Sequence, residues 1–484
     1  MKKYNIVVLA ALMAAALPAA AKSPKRGLSE NEFQFKAQMA AVAPGVSWFY
    51  NWAPEMGRYL ADENVMEYVP MCWNGSYDAD KIRAWVASHP DCGYLLGFNE
   101  PNFSNQANMT PQAAAAKWPE VQALAKELNL KLVAPALNTS PNPPYQDPTK
   151  WMDEFVALVG EDAFDYTAVH SYGGFQALKN IATTFHDRYG KDVWVTEFCY
   201  WPEEGNPNSY VAPDSQIASM MQSVEWLEKT PWIFRYAWFK AIGNSSADKG
   251  PNYGLLISAK GEVERELSEQ GKVYINMGTF DPDVYHGINT VVAASDYISQ
   301  TNCLMGGSND AACPSPIEIT RFNAGASLDY QFDVPVAGDY TLSLSVGGYG
   351  EPTRFDPSVG VFAVDADGND GEELASLKNF TLPNSDETYQ TIAFPLALPA
   401  GKQTLRLKDL SPYSPSGIRI ATLCLGDGSP DAAIGTAAAD ESSRLVDVYN
   451  VQGIRLRSGV QAATAADGLP SGLYIVGGKK LLVP

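Results

Sequence analysis

The chain has 484 residues, with 35 Lys and Arg against 55 Asp and Glu, a formal net charge of −20. That length exceeds one ordinary core, so two or three domains are expected. The acidic residues are spread along the chain, and a surface of that sign repels phosphate backbones; nucleic acid is excluded as a partner, and a neutral polymer is a suitable one.

Residues 1–21 carry Lys2 and Lys3, an apolar stretch over 6–17, and Ala19-Ala20-Ala21 before Lys22, the layout of a cleaved bacterial secretory signal. The mature protein is therefore expected outside the cytoplasm: extracellular, periplasmic or at the cell surface. No Cys follows the expected cut, which speaks against a lipid anchor, and no later segment is long and apolar enough for a transmembrane span. A disulfide is permitted after export; Cys303 and Cys313 are the closest of the six Cys in sequence, but spacing leaves the connectivity open. The four His are scattered without paired spacing to a Cys or carboxylate, so no metal is expected.

Beyond the signal, apolar β-rich runs at 46–52, 67–73, 94–98, 131–137, 166–172, 193–198 and 234–239 alternate with helical stretches such as 111–128 and 215–229. That alternation predicts a parallel (β/α)8 TIM-type barrel over 40–277. Seven strands are clear, and the eighth falls on the weaker segment 253–257. All eleven Trp lie between Trp48 and Trp238, which marks the barrel off from the rest of the chain.

Two of these runs end in a glutamate: Glu100 in Gly97-Phe98-Asn99-Glu100-Pro101-Asn102, and Glu197 in Trp194-Val195-Thr196-Glu197-Phe198. The downstream end of a parallel barrel strand is where such a fold delivers its reactive side chains. A lone Glu there is more often a solvated strand end, but two suit cleavage of a glycosidic bond. One carboxyl must be protonated to donate to the leaving oxygen while the other is ionised to face the oxocarbenium-like carbon. Asn99 can donate from its amide to a sugar hydroxyl, and Pro101 ends the strand by removing a ladder donor.

The run Gly97 to Asn102, followed about a hundred residues on by Trp194 to Phe198, resembles the glycosyl hydrolase catalytic core family, of the family 128 β-1,3-glucanase type, within a clan of retaining (β/α)8 hydrolases. The resemblance covers roughly 42–277 and takes in Trp48-Phe49-Tyr50-Asn51-Trp52, Val169-His170-Ser171-Tyr172-Gly173 and Tyr236-Ala237-Trp238-Phe239. It implies that Glu100 is the general acid/base, Glu197 the nucleophile, and Asn99 a holder of the sugar hydroxyls beside the reacting bond; Tyr50 and Asn51 are expected at the substrate with them. In the clan these carboxylates come from the fourth and seventh strands, against the third and sixth counted above. The interval of three is kept, so the count lacks an early or irregular strand.

His170 and Tyr172 share one face of their strand and could position the nucleophile or a sugar hydroxyl, although a satisfied core His is the plainer reading. Trp52, Trp73, Trp201 and Trp238 stand at strand ends, where an indole can stack on the apolar face of a pyranose. Trp85, Trp118 and Trp226 sit in helical segments and read as core.

Over 278–426, period-two runs alternate with Gly, Pro, Asn and Asp turns and no helical segment interrupts them, which predicts an all-β sandwich. Its Ala337-Gly338-Asp339-Tyr340 turn and flanking strands resemble a carbohydrate-binding jelly roll of the family 6 kind, though without a Trp platform. Residues 427–442 read as a linker, and 443–484 as a small β module resembling the sorting domains of exported Bacteroidetes proteins. A separate barrel core predicts that a chain ending near Met277 keeps its turnover. The sequence thus predicts a secreted monomer acting on β-glucan polymer or oligosaccharide without a cofactor, as a retaining endo-β-1,3-glucanase. A retaining hydrolase of another β-glycan and a noncatalytic glycan binder are the alternatives.

Overall fold

The computed structural model describes residues 22–428, apart from 32, 34, 58–65, 204–208, 244–249, 251, 258–265, 350–355, 366 and 386, and beyond them chiefly four strands between 445 and 483. The expected signal at 1–21 and most of the expected linker lie outside the described residues.

The strand missing from the sequence count is the first. β1 (Arg26–Ser29) lies parallel to both β2 (Trp48–Tyr50) and β8 (Ile233–Phe239). With β3 (Glu67–Tyr68), β4 (Tyr94–Leu96), β5 (Lys131–Leu137), β6 (Tyr166–Ser171) and β7 (Val193–Phe198), it forms an eight-stranded parallel sheet in the order β3-β2-β1-β8-β7-β6-β5-β4. The outer edges meet where Leu96 N donates to Pro70 O (3.0 Å) and Cys72 N to Leu96 O (2.9 Å). Helices α1 (Lys36–Val42), α2 (Ala79–Ser88), α3 (Pro111–Glu127), α4 (Pro148–Val159), α5 (Gly174–Tyr189), α6 (Pro213–Lys229) and α7 (Glu269–Asn276) complete a (β/α)8 arrangement. Local chemistry starts several of them. Asp78, Thr110, Asp147 and Ser268 accept from first-turn amides, and Pro111, Pro148 and Pro213 open α3, α4 and α6.

Two expectations are corrected here. The barrel begins at β1, before residue 40, and segment 253–257 is not a strand, since Leu256 makes only single bridges to Ile242 and Leu267. Four residues, Arg-Gly-Leu-Ser, carry no periodicity to read. Gly27 is required by its neighbour: a Cβ there would sit 2.3 Å from the Trp48 indole. Arg26 secures the strand from full burial. It donates to Tyr236 Oη (3.0 Å), Glu228 Oε1 (3.0 Å), and the carbonyls of Tyr274 (3.0 Å), Met277 (2.8 Å) and Gly278 (2.7 Å).

Side chains alternate across the barrel wall. Trp48, Val69, Met71, Leu96, Val133, Ala168, Trp194 and Ala237 fill the interior, and a second apolar layer separates sheet from helices. Lower in the barrel, the Arg235 guanidinium lies among the rings of Tyr94, Trp194 and Trp48 and pairs with Glu67 at 2.6 Å.

After α7 come β9 (His286–Gly287), β10 (Val291–Ala293), β11 (Ser299–Gly307), β12 (Ile317–Val334), β13 (Gly338–Gly348), β14 (Val359–Val364), β15 (Asp370–Leu377), β16 (Tyr389–Leu398), β17 (Gly401–Asp409) and β18 (Ile418–Gly426). The all-β texture expected from the sequence is present. Hydrogen bonds join all ten strands into one sheet, antiparallel except for β9 on β12. The 18-residue β12 holds it together, pairing with β18 through its first part and with β17 through its second. Cys303 and Cys313 do not pair with each other; their thiols turn to the carbonyls of Ser327 and Ala421.

This sheet does not stand apart from the barrel. β11 packs on α6 and α7, and one apolar core runs from Met221 and Tyr274 to Met305 and Ile319. Gly307 N donates to Glu269 Oε2 (2.9 Å), and Arg321 pairs with Asp214 (2.5 Å). The described residues up to Asp427 form one compact unit. The second unit holds an antiparallel sheet of β19 (Leu445–Asn450), β20 (Arg455–Gln461), β21 (Gly472–Val476) and β22 (Lys479–Val483), ordered β20-β19-β21-β22. Among the described residues no helix is long and apolar enough to cross a membrane.

A break at Met277 therefore cuts through a shared core, against the independence expected from the sequence. Ending the chain there uncovers apolar side chains worth about 1.5–3 kcal/mol each. The truncated protein should be insoluble, or unfold at least about 5 °C below the full chain in a thermal melt.

Candidate active site

Four strand ends converge at one mouth of the barrel. Glu100 follows β4, tied by its own N–H to Ala136 O on β5 (2.9 Å). Glu197 is the penultimate residue of β7, and the β6–β7 register places His170 opposite it, next to a register shift after Val169. Tyr172 lies just past β6; Tyr50 ends β2 and Trp52 lies two residues beyond. Glu100 (φ +43°) and Trp52 (φ +59°) occupy the left-handed region that bulky residues avoid. Such strain concentrates at functional positions, and here it turns both side chains toward one point.

Both carboxylates are buried, Glu100 3% and Glu197 4% exposed, with His170 fully buried between them. His170 Nδ1 is 2.8 Å from Glu100 Oε1 and 3.4 Å from Glu197 Oε2. One oxygen of each glutamate and the imidazole nitrogen all lie within 4.8 Å of one another. Glu197 Oε1 accepts from Trp52 Nε1 (2.8 Å) and Tyr50 Oη (3.1 Å), and Oε2 accepts from Tyr172 Oη. Burial pushes the Glu197 carboxyl above its usual range, with the Glu100 charge adding to the push; His170 and the donors Tyr172 and Trp52 pull it back. Burial likewise pushes the Tyr50 phenol well up, so it stays a donor.

The two carboxylates are thus unlike. Three O–H and N–H groups grip Glu197 and favour its ionised form, whereas Glu100 faces the His170 imidazole. Glu100, His170 and Glu197 could also converge on a cation. Glu197 already spends its oxygens on three donors that a metal would displace, so the set fits an organic substrate better.

The other sequence candidates fall in different places. Asn99 is buried beside Glu100, and Trp73 lines the interior with its carbonyl accepting from Asn99 N (2.9 Å). Trp201 is partly exposed, stacked on Tyr253 at 5.7 Å and edge-on to Tyr172 at 6.1 Å. Asn51 is not at the site; it serves its own loop, accepting from Tyr68 Oη (2.5 Å) and Ala53 N (3.1 Å) and donating to Glu55 O (3.3 Å). Trp238 is also misplaced. It is 1% exposed, packs on Phe198 outside the barrel wall and donates to Tyr253 O (2.8 Å), so no pyranose can reach it.

Strand alternation explains the Trp238 error: Ala237 points inward, Trp238 outward, and Phe239 inward again. Phe239 is the aromatic the sequence reading missed, 5.4 Å from Tyr172 and 6.0 Å from Trp52. Period two on β8 could have found it. Tyr253 was also missed, and it carries no local signal because its segment is irregular. A cavity of about 640 Å³ lies elsewhere, between α7 and the ten-stranded sheet, where Glu269 pairs with Lys272 and Arg419 with Glu318.

A buried, inequivalent carboxylate pair at the mouth of a (β/α)8 barrel defines a glycoside hydrolase. The chain belongs to the glycosyl hydrolase catalytic core family, whose model matches residues 27–274, just over half of its length. It is similar to a GH128 subgroup II endo-β-1,3-glucanase from Pseudomonas viridiflava, at 34% identity over 53% of this chain and 98% of that one, with a TM-score of 0.46. A subgroup II enzyme from Sorangium cellulosum is 33% identical over 52% and 97% (TM-score 0.44). A subgroup I enzyme from Amycolatopsis mediterranei, in complex with laminaritriose, is 27% identical over 52% and 98% (TM-score 0.40). No curated protein matches the chain.

Tyr172→Phe removes one hydrogen bond to a charged acceptor and should lower kcat/KM about ten- to a hundredfold. The lost donor was holding the Glu197 carboxyl down, so its pKa rises in the variant. With Glu197 acting in its ionised form, as proposed below, the acidic limb of the pH–rate profile should move to higher pH, as a kcat/KM titration would record.

Proposed function

We propose that this glycoside hydrolase is a secreted, endo-acting β-1,3-glucanase that retains anomeric configuration. The observation that carries the reading is the buried pair Glu100 and Glu197, with facing atoms within 4.8 Å and unlike hydrogen bonding. That approach is closer than the roughly 6.5–9.5 Å an inverting enzyme keeps for its water. Glu197, held ionised by Tyr172, Tyr50 and Trp52, attacks the anomeric carbon. Glu100, oriented by His170, protonates the departing oxygen. Glu100 then takes a proton from the water that releases the glycosyl-enzyme. The mechanism needs no cofactor.

The β-1,3 linkage is supported by the motif resemblance around Glu100 and Glu197, and secretion by the composition of residues 1–21. Trp52, Trp201, Phe239 and Tyr253 supply apolar faces on which pyranose rings can stack. The ten-stranded sheet is proposed to hold polymer, in keeping with its family 6 jelly-roll resemblance, and the four-stranded C-terminal sheet to act in surface targeting.

Release of reducing ends should be highest on β-1,3-glucan in a panel of β-glucans; comparable or greater release from a glucan lacking that linkage would sink the substrate assignment. Glu197→Ala should lose turnover on every substrate and be rescued by azide as an inverted glycosyl azide. Glu100→Ala should still cleave aryl glycosides whose leaving group needs no proton. NMR of the first product should show the β anomer, and initial α anomer would overturn retention.

A further inference from the structure

The cavity of about 640 Å³ at the junction of barrel and sheet shares no lining residue with the glutamate pair. One wall is α7, through Glu269, Lys272, Ile275 and Asn276, joined by Ala41 of α1. The opposite wall is the sheet, through Gly307 at the end of β11, Thr320 on β12 and Arg419 on β18. Neither part makes the cavity alone. Gly307 sets how closely they approach, since a Cβ there would stand 3.3 Å from both Glu269 Oε2 and Lys272 Nζ. The volume falls within the roughly 300–1,000 Å³ of small-molecule sites.

The sheet side of this cavity is held in one arrangement by a buried network. Glu318, fully buried, accepts from Arg419 Nε (2.6 Å), Tyr389 Oη (2.7 Å) and Ser308 Oγ (2.8 Å), and Arg419 is itself only 6% exposed. A buried ion pair is weak evidence for stability, but here it fixes a guanidinium on rigid strands at the cavity wall, as a preorganised site requires. On the helix side, Lys272 Nζ donates to Glu269 Oε1 (2.6 Å), while Glu269 Oε2 accepts from Gly307 N (2.9 Å). These two side chains stay near half-exposed and reach the opening.

The lining selects a class of ligand. Lys272 and Arg419 are each matched by a carboxylate, so an anion would have to displace Glu269 or Glu318, and a metal ion would face two cations. No aromatic side chain lines the cavity, so a flat apolar ligand has no ring to stack on. A neutral polyol suits it, because hydroxyls donate to carboxylates and accept from ammonium and guanidinium groups alike. We infer that the junction is a second saccharide site, which takes a short stretch of neutral β-1,3-glucan edge-on through its hydroxyls. The linkage rests on the glucanase reading of Glu100 and Glu197. Without stacking, this is the weaker of the two sites, and it tethers polymer to the enzyme without entering the chemistry.

The test is calorimetric titration of the full-length protein with a β-1,3-glucohexaose, in a Glu197→Gln background that blocks turnover. Two classes of site are expected, the tighter at the catalytic mouth. The double substitution Glu269→Gln with Lys272→Met removes both charges at the opening, while the new amide can still accept from Gly307 N. Ala41→Met instead pushes an adaptable apolar side chain into the cavity, and thermal melts establish that each variant folds. Either change should weaken the second class at least about tenfold and leave the first within about twofold. With Glu197 restored, both variants should keep kcat/KM on the hexaose within about twofold and lose about three- to tenfold of their rate on dilute insoluble β-1,3-glucan. A single class of site, or a second class untouched by either change, would overturn the junction site and leave the glucanase reading intact. No binding of the hexaose, together with no reducing ends released by the wild type, would overturn that reading and the junction site with it.

Discussion

The buried guanidinium of Arg26 is the contact on which the rest of the barrel depends. A strand of four residues contributes too few ladder bonds to hold its place, yet β1 must stand between β2 and β8 for the barrel to close. Arg26 compensates with donors to a phenol, a carboxylate and three carbonyls, linking β1 to α6, to β8 and to the chain leaving α7. An ion pair buried this deeply is weak evidence for stability in itself, but losing one partner typically costs about 3–5 kcal/mol because the other is stranded. Its consequence reaches the site. Only with β1 in place does β2 carry Tyr50 and Trp52 across the barrel mouth to Glu197.

The site itself works against the fold. Two carboxylates and an imidazole are taken out of water within 4.8 Å of one another, and two strand-end residues hold backbone conformations that bulky side chains avoid. Burial alone would drive Glu197 toward protonation. The hydrogen bonds from Tyr172, Tyr50 and Trp52 oppose that push by favouring the ionised form, whereas Glu100 faces the His170 imidazole. The difference in surroundings between these two chemically identical side chains is set by which strands face each of them.

The ten-stranded sheet belongs to the same energetic unit as the barrel. Met305 and Ile319 join the apolar layer that also contains Met221 and Tyr274, and Arg26 binds the carbonyls of Met277 and Gly278, where the chain passes from one part to the other. A change of composition at residue 278 therefore marks a change of architecture without marking a boundary of stability.

Periodicity and turn chemistry in the sequence determined seven barrel strands, the helices read at 111–128 and 215–229, the all-β texture after 278, and the two glutamates at strand ends. Each of these is a local property: alternation, capping residues, proline at a helix start. The chain alone also singled out Tyr50, Trp52, His170 and Tyr172, which the fold brings together with Glu100 and Glu197 because strand ends at one mouth of a parallel barrel converge. Tertiary structure decided the remainder. β1 is strand only because β2 and β8 flank it and Trp48 lies over Gly27. Trp238 is core while Phe239 faces the site because one residue of register exchanges inside for outside. Asn51 is taken by its own loop, and Asn99 meets Gln106, seven residues away, only because the loop after Glu100 folds back. These are relations between residues distant in sequence or fixed by one step of register, and no local pattern encodes them.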